Sequence, residues 1–297
     1  EVRTIRIATR ASKLALVQAH MTEDMLRNLG WNSEIIEVST RGDRNQTGAL
    51  KVIGGKGLFV REVEEMLLNG QADIAVHSGK DLPYELMDGL VIAGVPEAAS
   101  SNDCLVSCKN VRLEEIKDRP IVIGTASPRR EVELSRLFPN ARIELIRGNV
   151  DTRLKKLREG LYDATLLAKA GLDRLQPDLT DMDVRVLSTR ECIPSACQGI
   201  LAIECREEDR EMVEVLRSIS HKRSKARFTV ERKMLSLLQA DCSMAIGIYS
   251  KIEEDNSLEL YGMFDGKHGD VKGNLEDYPS LCLELCKKLQ AVSIETD

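Results

Sequence analysis

The sequence has few aromatic residues and no long apolar run, and each absence excludes a class of function. Phe, Trp and Tyr make up only 3% of the 297 residues, so the chain has little with which to build the stacking platforms that bind single-stranded nucleic acid. No apolar run approaches the roughly 18 residues of a membrane span, and the first residues lack the apolar segment of a signal peptide. We therefore expect a cytoplasmic protein that binds neither nucleic acid nor membranes.

The cysteines do not have the spacing of a metal site. The chain has eight of them, but Cys104 and Cys108 are four positions apart, as are Cys282 and Cys286, and no CxxC pair occurs. In a cytoplasmic chain most of these thiols should be reduced and buried as small apolar side chains. The sequence therefore predicts no metal ion and no disulfide framework.

The size and charge are those of a globular protein with one basic segment. A chain of 297 residues can form two or three domains. Its net charge is -6, yet the segment 129–158 holds nine Lys or Arg against four Asp or Glu. A local basic cluster in an acidic chain favours a small anionic ligand over a polyanionic partner.

Arginines recur where a predicted strand is followed by a predicted helix. The β-branched run 121–125 predicts a strand, Ser127 suits a helix N-cap and Pro128 suits the first helical position. This places Arg129 and Arg130 in the first turn, where cations oppose the helix dipole. The same order of strand, arginine and cap recurs at Arg10 with Ser12, and at Arg147 with Asn149 and Arg153.

This placement of the arginines indicates an anion site. Backbone N–H groups and guanidinium groups gathered at one end of a sheet bind a ligand with several negative charges. The alternative is that the arginines form weak surface ion pairs with Glu131, Glu133 and Asp151. We prefer ligand binding because the pattern occurs repeatedly.

A carboxylate follows a predicted buried strand in the N-terminal part. Residues 73–76 predict this strand, and Lys80 and Asp81 come after it, at the end of the strand where open α/β sheets bind ligands. The alternative for Asp81 is a cap of the turn before Pro83. His77 is more typical of a core histidine than of a catalyst. The nearby glycine-bearing stretch 44–58 predicts a mobile loop or lid, because the spacing of a phosphate-binding P-loop is absent.

Strands alternate with helices up to about residue 204, which predicts an α/β fold with parallel sheets. From about Ser218 the pattern changes. A basic helix over 221–239, two strands over 245–250 and 258–264, and a final helix over 278–292 predict a small α+β domain.

The chain resembles the hydroxymethylbilane synthase (porphobilinogen deaminase) family. The resemblance covers nearly the whole chain and rests on motifs that occur in the family's order: Ile-Arg-Ile-Ala-Thr-Arg10-Ala-Ser12, Thr-Arg-Gly-Asp43, Gly-Gly-Lys-Gly-Leu-Phe59, Asp-Ile-Ala-Val-His-Ser-Gly-Lys-Asp81-Leu-Pro, Gly-Thr-Ala-Ser-Pro-Arg129-Arg130, Arg147-Gly-Asn-Val-Asp-Thr-Arg153 and Ala-Gly-Leu-Asp-Arg174.

The resemblance implies an α/β architecture of two periplasmic-binding-protein-like lobes plus a small C-terminal α+β domain. Lobe one would be residues 1–98 with 195–217, and lobe two would be residues 99–194. The third domain, residues 218–297, would carry Cys242. We expect a monomer.

The resemblance also implies an activity. Family members join four porphobilinogen molecules head to tail on a dipyrromethane cofactor, releasing ammonia each time, and then hydrolyse the linear hydroxymethylbilane from it. The cofactor would be bound through a thioether to Cys242, and Asp81 matches the catalytic aspartate. Porphobilinogen carries an acetate and a propionate, so every added ring brings two carboxylates to the arginines. A carboxylate such as Asp81 can stabilise the pyrrole cation that forms when ammonia leaves.

Further site residues follow from the motifs by resemblance. The implied cofactor-binding residues, besides Cys242, are Asp43, Lys80, Thr125, Ser127, Arg129, Arg130, Arg147 and Arg153. The implied substrate-binding residues are Arg10, Ser12, Lys56, Phe59, Arg147, Arg153, Arg174 and Gln198.

The chain departs from the family pattern at three places. Gly79 stands where methionine is usual, and Ser195-Ala-Cys197 replaces a turn resembling Ala-Val-Gly. Asp241 precedes Cys242 where glycine is usual. We expect Asp241 to keep the turn, because aspartate tolerates left-handed backbone, and to disfavour the Cys242 thiolate.

Two other functions remain open at this stage. One is a non-catalytic, two-lobed anion receptor, and the other is a transferase that binds phosphate groups through the arginines. A two-pyrrole adduct on Cys242 would exclude the receptor.

Overall fold

The structure of the protein is a computed structural model that describes residues 2–38 and 55–290, with side chains from Phe59 onward in the second range. Within these ranges the strands are β1 (Thr4–Arg10), β2 (Asn32–Val38), β3 (Ile74–Ser78), β4 (Leu90–Gly94), β5 (Asp103–Cys108), β6 (Val122–Gly124), β7 (Arg142–Glu144), β8 (Ala164–Ala168), β9 (Met182–Val186), β10 (Leu201–Arg206), β11 (Ile246–Ile252), β12 (Ser257–Phe264) and β13 (Lys267–Asn274). The helices are α1 (Lys13–Asn28), α2 (Gly55–Leu68), α3 (Pro128–Leu137), α4 (Val150–Arg158), α5 (Lys169–Leu175), α6 (Arg210–Ser218), α7 (Lys222–Leu238) and α8 (Tyr278–Gln290). None of these helices is both long and apolar enough to cross a membrane.

Local capping confirms the predicted helix starts. The Ser12 hydroxyl accepts a hydrogen bond from the Ala15 N–H at the start of α1, and Ser127 accepts from the Arg130 N–H at the start of α3. Asn149 caps α4 by accepting from the Thr152 N–H. These side chains satisfy backbone donors that the first helical turn leaves without partners.

The chain divides into two compact units, residues 1–99 with 199–232 and residues 100–198 with 233–297. Unit 1 contains a five-stranded sheet in the order β2-β1-β3-β10-β4. Strand β1 pairs in parallel with β2 and β3, while β10 runs antiparallel to both β3 and β4. The core of this unit packs Ile5, Ile7, Leu26 and Ile203 between the sheet and its helices.

Unit 2 contains two sheets. The five-stranded sheet has the order β7-β6-β8-β5-β9, in which β6 is parallel to β7 and β8, while β5 is antiparallel to β8 and β9. The second sheet, β11-β12-β13, is antiparallel throughout. Leu281, Leu285 and Leu289 of α8 are buried, and Leu285 and Leu289 lie close to the glycine backbone of β13 at Gly269.

The predicted α/β fold class with a small C-terminal α+β part is confirmed, but two details of the prediction are wrong. The large sheets are mixed rather than parallel, because β5 and β10 each enter a sheet against the direction of their neighbours. The C-terminal sheet has three strands rather than two. The missed strand, β13, is an edge strand with Val271 as its buried residue, so its sequence lacks the apolar alternation by which a strand is recognised.

Candidate active site

Asp81 lies at the carboxyl end of β3, as the sequence predicts. The strand ends at Ser78 and passes into a 3-10 turn over Gly79–Asp81. The Gly79 N–H donates to the Ile200 carbonyl at 2.7 Å, and the Arg232 guanidinium donates to the Pro83 carbonyl at 2.8 Å. The half-buried Asp81 is therefore the last residue of a turn whose backbone is fixed on both sides.

His77 is a buried histidine, as predicted, and its partner is a second ionisable group. Its Nε2 lies 2.9 Å from Oε1 of Glu204. Burial lowers the pKa of His77 to about 4, so the ring is neutral at pH 7. Toward the ionised form of Glu204, which can only accept, a neutral ring donates through Nε2. Glu204 was not predicted, because no local motif marks it within the apolar strand β10.

The remaining unit 1 candidates lie on β1, α1 and α2. The Arg10 guanidinium lies over the Phe59 ring, 4.0 Å from its centroid, so these two candidates are in contact. Ser12 serves as the cap of α1, and Lys80 lies in the 3-10 turn before Asp81. Asp43, the Lys56 side chain and the lid predicted over 44–58, apart from the backbone from Gly55, lie outside the described residues.

In unit 2, three candidates converge on Asp103, which the sequence analysis did not single out. Arg129 donates to Oδ2 of Asp103 at 2.7 Å and to the Ile193 carbonyl at 2.8 Å. Arg130 donates to Oδ1 at 3.0 Å, and the Gln198 amide donates to the same oxygen at 3.0 Å. The alternative of surface partners is wrong for both arginines, because their carboxylate is buried and begins strand β5.

Asp103 is ionised despite complete burial. Burial alone would raise the pKa of Asp103, but the charges of Arg129 and Arg130 and the hydrogen bonds from Arg129 and Gln198 bring it below its usual range. The turn before Gln198 places Cys197 in left-handed backbone, with φ of 64°. A glycine adopts this conformation without steric cost, so Cys197 occupies a backbone position that favours glycine.

The other arginines of unit 2 have different surroundings. Arg153 donates from Nε to the Gly148 carbonyl at 2.8 Å, and no carboxylate forms an ion pair with it among the described residues. Burial, followed by the charge of Arg130, lowers the pKa of Arg153 to about 10. Burial also lowers the pKa of Arg174, partly offset by Asp173. Arg147 is exposed. The half-buried cations of Arg153 and Arg174 are therefore sites that an anion would stabilise.

Thr125 and Ser127 build the backbone that presents these arginines. The Thr125 hydroxyl accepts from the Ser127 N–H at 3.1 Å, and Ser127 in turn caps α3. Both hydroxyls therefore have a structural partner, and their predicted contact with a cofactor stays a prediction.

Replacing Arg153 with methionine should stabilise the protein when no ligand is bound. The substitution keeps the length of the side chain but removes a desolvated cation, and we expect the free energy of unfolding to rise by about 1–3 kcal/mol. Urea unfolding at pH 7 measures this, with the exposed Lys155→Met on the same helix as the control, where stability should not change. A loss of stability in Arg153→Met would show that its guanidinium stabilises the fold itself.

Cys242 is the exposed cysteine, and the other seven are buried. Burial raises the pKa of Cys192, Cys205 and Cys282 to about 12, so these thiols are neutral and inaccessible. Cys242 lies in the turn between α7 and β11. Cys242 is therefore the one thiol of the chain that a reagent or substrate in solution can reach.

The turn around Cys242 corrects one expectation. The left-handed residue after α7 is Gln239, with φ of 49°, and Asp241 is not left-handed. Instead, Oδ1 of Asp241 accepts from the Ser243 N–H at 2.8 Å and from the Ser243 hydroxyl. These hydrogen bonds lower the pKa of Asp241. Asp241 thus keeps the turn through its side chain rather than through its backbone conformation.

Comparison with known proteins decides the family. The model described as "Porphobilinogen deaminase, dipyromethane cofactor binding domain" matches residues 5–214, and the model described as "Porphobilinogen deaminase, C-terminal domain" matches residues 225–290. The chain belongs to the porphobilinogen deaminase family. The resemblance drawn from the motifs is therefore confirmed, and the protein is a transferase of a family that uses a dipyrromethane cofactor.

Curated relatives agree with the porphobilinogen deaminase assignment. A probable porphobilinogen deaminase from Methanocaldococcus jannaschii is 42% identical over 254 residues, covering 86% of this chain and 85% of the relative. A porphobilinogen deaminase from Bacillus subtilis is 40% identical over 272 residues, covering 91% of this chain and 86% of the relative. The assignment rests on these sequence relatives and on the family models.

The residues of unit 2 fit the porphobilinogen deaminase cofactor chemically. A dipyrromethane bears several carboxylates and is attached through carbon, so it needs an accessible thiol and cations to bind its acids. Cys242 is exposed, and burial has depressed the pKa of Arg153, which makes a carboxylate a favourable neighbour.

Proposed function

We propose that this porphobilinogen deaminase relative joins four porphobilinogen molecules stepwise on a primer bound to Cys242 and releases linear hydroxymethylbilane. The observation that carries the proposal is the single exposed thiol in a chain whose other cysteines are buried. Membership of a deaminase family favours this enzymatic function over a non-catalytic anion receptor. When bound, the cofactor supplies the pyrrole carbon from which the chain grows.

Asp81 has the role of stabilising positive charge on the substrate. When the aminomethyl group of porphobilinogen leaves as ammonia, the remaining methylene-pyrrole carries a positive charge. A fixed carboxylate near the pyrrole N–H lowers the energy of this cation and of the transition state that leads to it. The new bond then joins the methylene carbon to the α-carbon of the receiving pyrrole, whose α-proton passes to a base. Asp81 stands at the end of a buried strand in a fixed turn, where such a carboxylate would be held in place.

The cations have the role of binding carboxylates. We assign to the cofactor the residues Lys80, Thr125, Ser127, Arg129, Arg130, Arg147, Arg153 and Asp43, and to the substrate Arg10, Ser12, Lys56, Phe59, Arg147, Arg153, Arg174 and Gln198. Within these sets Arg153 and Arg174 have the strongest support, because burial depresses the pKa of each. Arg129 and Arg130 also bind the buried carboxylate of Asp103, which fixes the first turn of the helix that begins after Ser127.

We further propose that the chain acts as a cytoplasmic monomer, does not bind nucleic acid, and serves porphyrin and heme biosynthesis. The three-part division into residues 1–98 with 195–217, 99–194 and 218–297 also remains our proposal.

The mass of the purified protein tests the proposed function. We expect an intact mass above that of the chain by two pyrrole units, and a colour reaction with an aldehyde reagent for pyrroles. Cys242→Ser should lose the added mass, whereas Cys108→Ser should keep it. An unmodified mass in every preparation would favour the anion receptor instead.

A further inference from the structure

Behind Asp81, three buried ionisable side chains meet that the proposed mechanism does not use. They are Glu64 of α2, His77 of β3 and Glu204 of β10, with exposed fractions of 3%, 8% and 0%. In the pairing of β3 with β10, His77 lies opposite Ala202 and Glu204 lies opposite Ala75. His77 and Glu204 are therefore diagonal neighbours on one face of the sheet. Burying three such groups is costly unless their charges and hydrogen bonds are matched.

Glu64, His77 and Glu204 form a cluster. Its hydrogen bonds leave one place for a proton. Oε1 of Glu204 lies 2.9 Å from Nε2 of His77, and Oε2 of Glu64 accepts from the Met87 N–H at 3.1 Å. Oε2 of Glu204 is buried and has no donor among the described residues, and the Glu64 and Glu204 carboxyls lie within hydrogen-bonding reach of each other. Two ionised carboxylates can only accept, so they would repel at this contact. One proton between them turns this contact into a hydrogen bond.

The surrounding charges agree with one shared proton near neutral pH. Burial, reinforced by Glu204, raises the pKa of Glu64 to about 8, and burial raises that of Glu204 to about 7. Arg232 favours the charged form of Glu204, which keeps one of the two carboxyls ionised. The pair titrates as a unit, so these two values describe the pair rather than either residue.

Within the part of the chain that the structure describes, few other charges act on the cluster. His77, whose own charged form is disfavoured by burial, is influenced by Glu64, Asp81 and Arg232. Strand β4 carries no ionisable residue. The arginines of β1 are occupied elsewhere, with Arg6 bound to Asp73 and Arg10 over Phe59. Asp81 and Arg232 are therefore the groups whose electrostatic interaction with the cluster changes when its proton is lost.

We propose that Glu64 and Glu204 share one proton in the active protein, and that this proton fixes the position of the segment that carries Asp81. Arg232 links the two sites, since it stabilises charged Glu204 and also donates to the Pro83 carbonyl two residues after Asp81. Loss of the proton adds a full negative charge beside His77 and draws Arg232 toward the carboxylates. Glu64 and Glu204 are thus positioning residues. The part of this inference that concerns catalysis rests on the proposed function of Asp81.

Infrared spectroscopy of the purified protein tests the shared proton without reference to activity. In D2O, the wild type should show a protonated-carboxyl band at pH 7 that disappears with a midpoint near pH 8. Glu64→Gln should lack this band, whereas Glu65→Gln, an exposed neighbour on the same helix, should retain it. Absence of the band from the wild type at pH 7 would overturn the proposal, and this result needs no folded variant.

The dependence of the rate on pH tests the link to Asp81. The wild type should lose activity above about pH 8 as the pair loses its proton. In Glu64→Gln a neutral amide replaces the shared acid, so this basic limb should flatten while kcat at pH 7 falls about threefold and KM hardly changes. Glu204→Gln should lose the same limb.

A purely structural cluster would give another result. It would change the melting temperature in Glu64→Gln but leave the shape of the pH profile as in the wild type, and that outcome would overturn the role assigned to the proton. The proposed function of Asp81 and the proposed shared proton can be disproved independently of each other. If Asp81→Ala stayed active, the proposed function of Asp81 would be wrong while the carboxyl band would still report the shared proton.

Discussion

Asp103→Ala should lower the free energy of unfolding by about 3–5 kcal/mol, because it leaves two buried guanidinium groups without their carboxylate. Arg129 and Arg130 have exposed fractions of only 5% and 8%, so water cannot replace the lost partner. Gln198 also loses an acceptor. Urea unfolding at pH 7 measures the change, and circular dichroism confirms that the variant starts from a folded state.

The matched control for Asp103→Ala is an ion pair at the surface of the same unit. Asp181 binds Arg158 at 2.8 Å, but both side chains are well exposed, so Asp181→Asn should leave stability unchanged. The pH dependence adds a second check. Because the pKa of Asp103 is lowered in the folded state, its stabilisation is present at neutral pH and fades only in acid below the ordinary range of an aspartate. Equal stability of Asp103→Ala and the wild type at pH 7 would show that the arginines find other partners.

Asp81→Ala should lower kcat by about 10²–10³-fold with little change in stability, because it removes the carboxylate opposite a developing positive charge. Asp81 is half-buried, and the turn that carries it is held by backbone hydrogen bonds and by Arg232 rather than by the aspartate. Asp81→Asn separates charge from shape, since the amide has the same size and no charge. We expect Asn and Ala to be equally impaired.

The measurement for Asp81 is the initial rate of tetrapyrrole formation, with the intact mass recorded on the same samples. The mass should still include the cofactor, so that a lower rate reports the chemical step rather than a missing primer. Asp88→Asn is the control, since Asp88 is exposed in the segment that follows, and its rate should match the wild type. A near-normal rate in Asp81→Asn would mean that another group stabilises the cation.

The sequence predicts well what is decided by neighbouring residues. Ser12, Ser127 and Asn149 were recognisable as helix caps because a cap acts on backbone groups two or three positions away. The placement of Asp81 after β3 follows from the same local reading of a buried strand and a turn. The local motifs are therefore sufficient to predict which candidate residues lie at the ends of strands.

Partners that are distant in sequence could not be predicted in this way. Arg129 and Asp103 are 26 positions apart, and His77 and Glu204 are 127 apart. Both carboxylates belong to buried, mostly apolar β-strands, in which no local motif marks a charged partner. The direction of β10 was missed for the same reason, because hydrophobic periodicity reports which face of a strand is buried and not which way the strand runs.

Because Cys242 is exposed and the other cysteines are buried, a thiol reagent can count the molecules in which Cys242 is unmodified. A thiol-reactive dye added to the native protein should attach once per molecule, since seven sulfurs are shielded by the surrounding side chains. If the primer is bound to Cys242 as proposed, a molecule that carries it has no site left for the dye. The dye-to-protein ratio therefore gives the fraction of unprimed molecules, and following that ratio over time gives the rate of self-assembly.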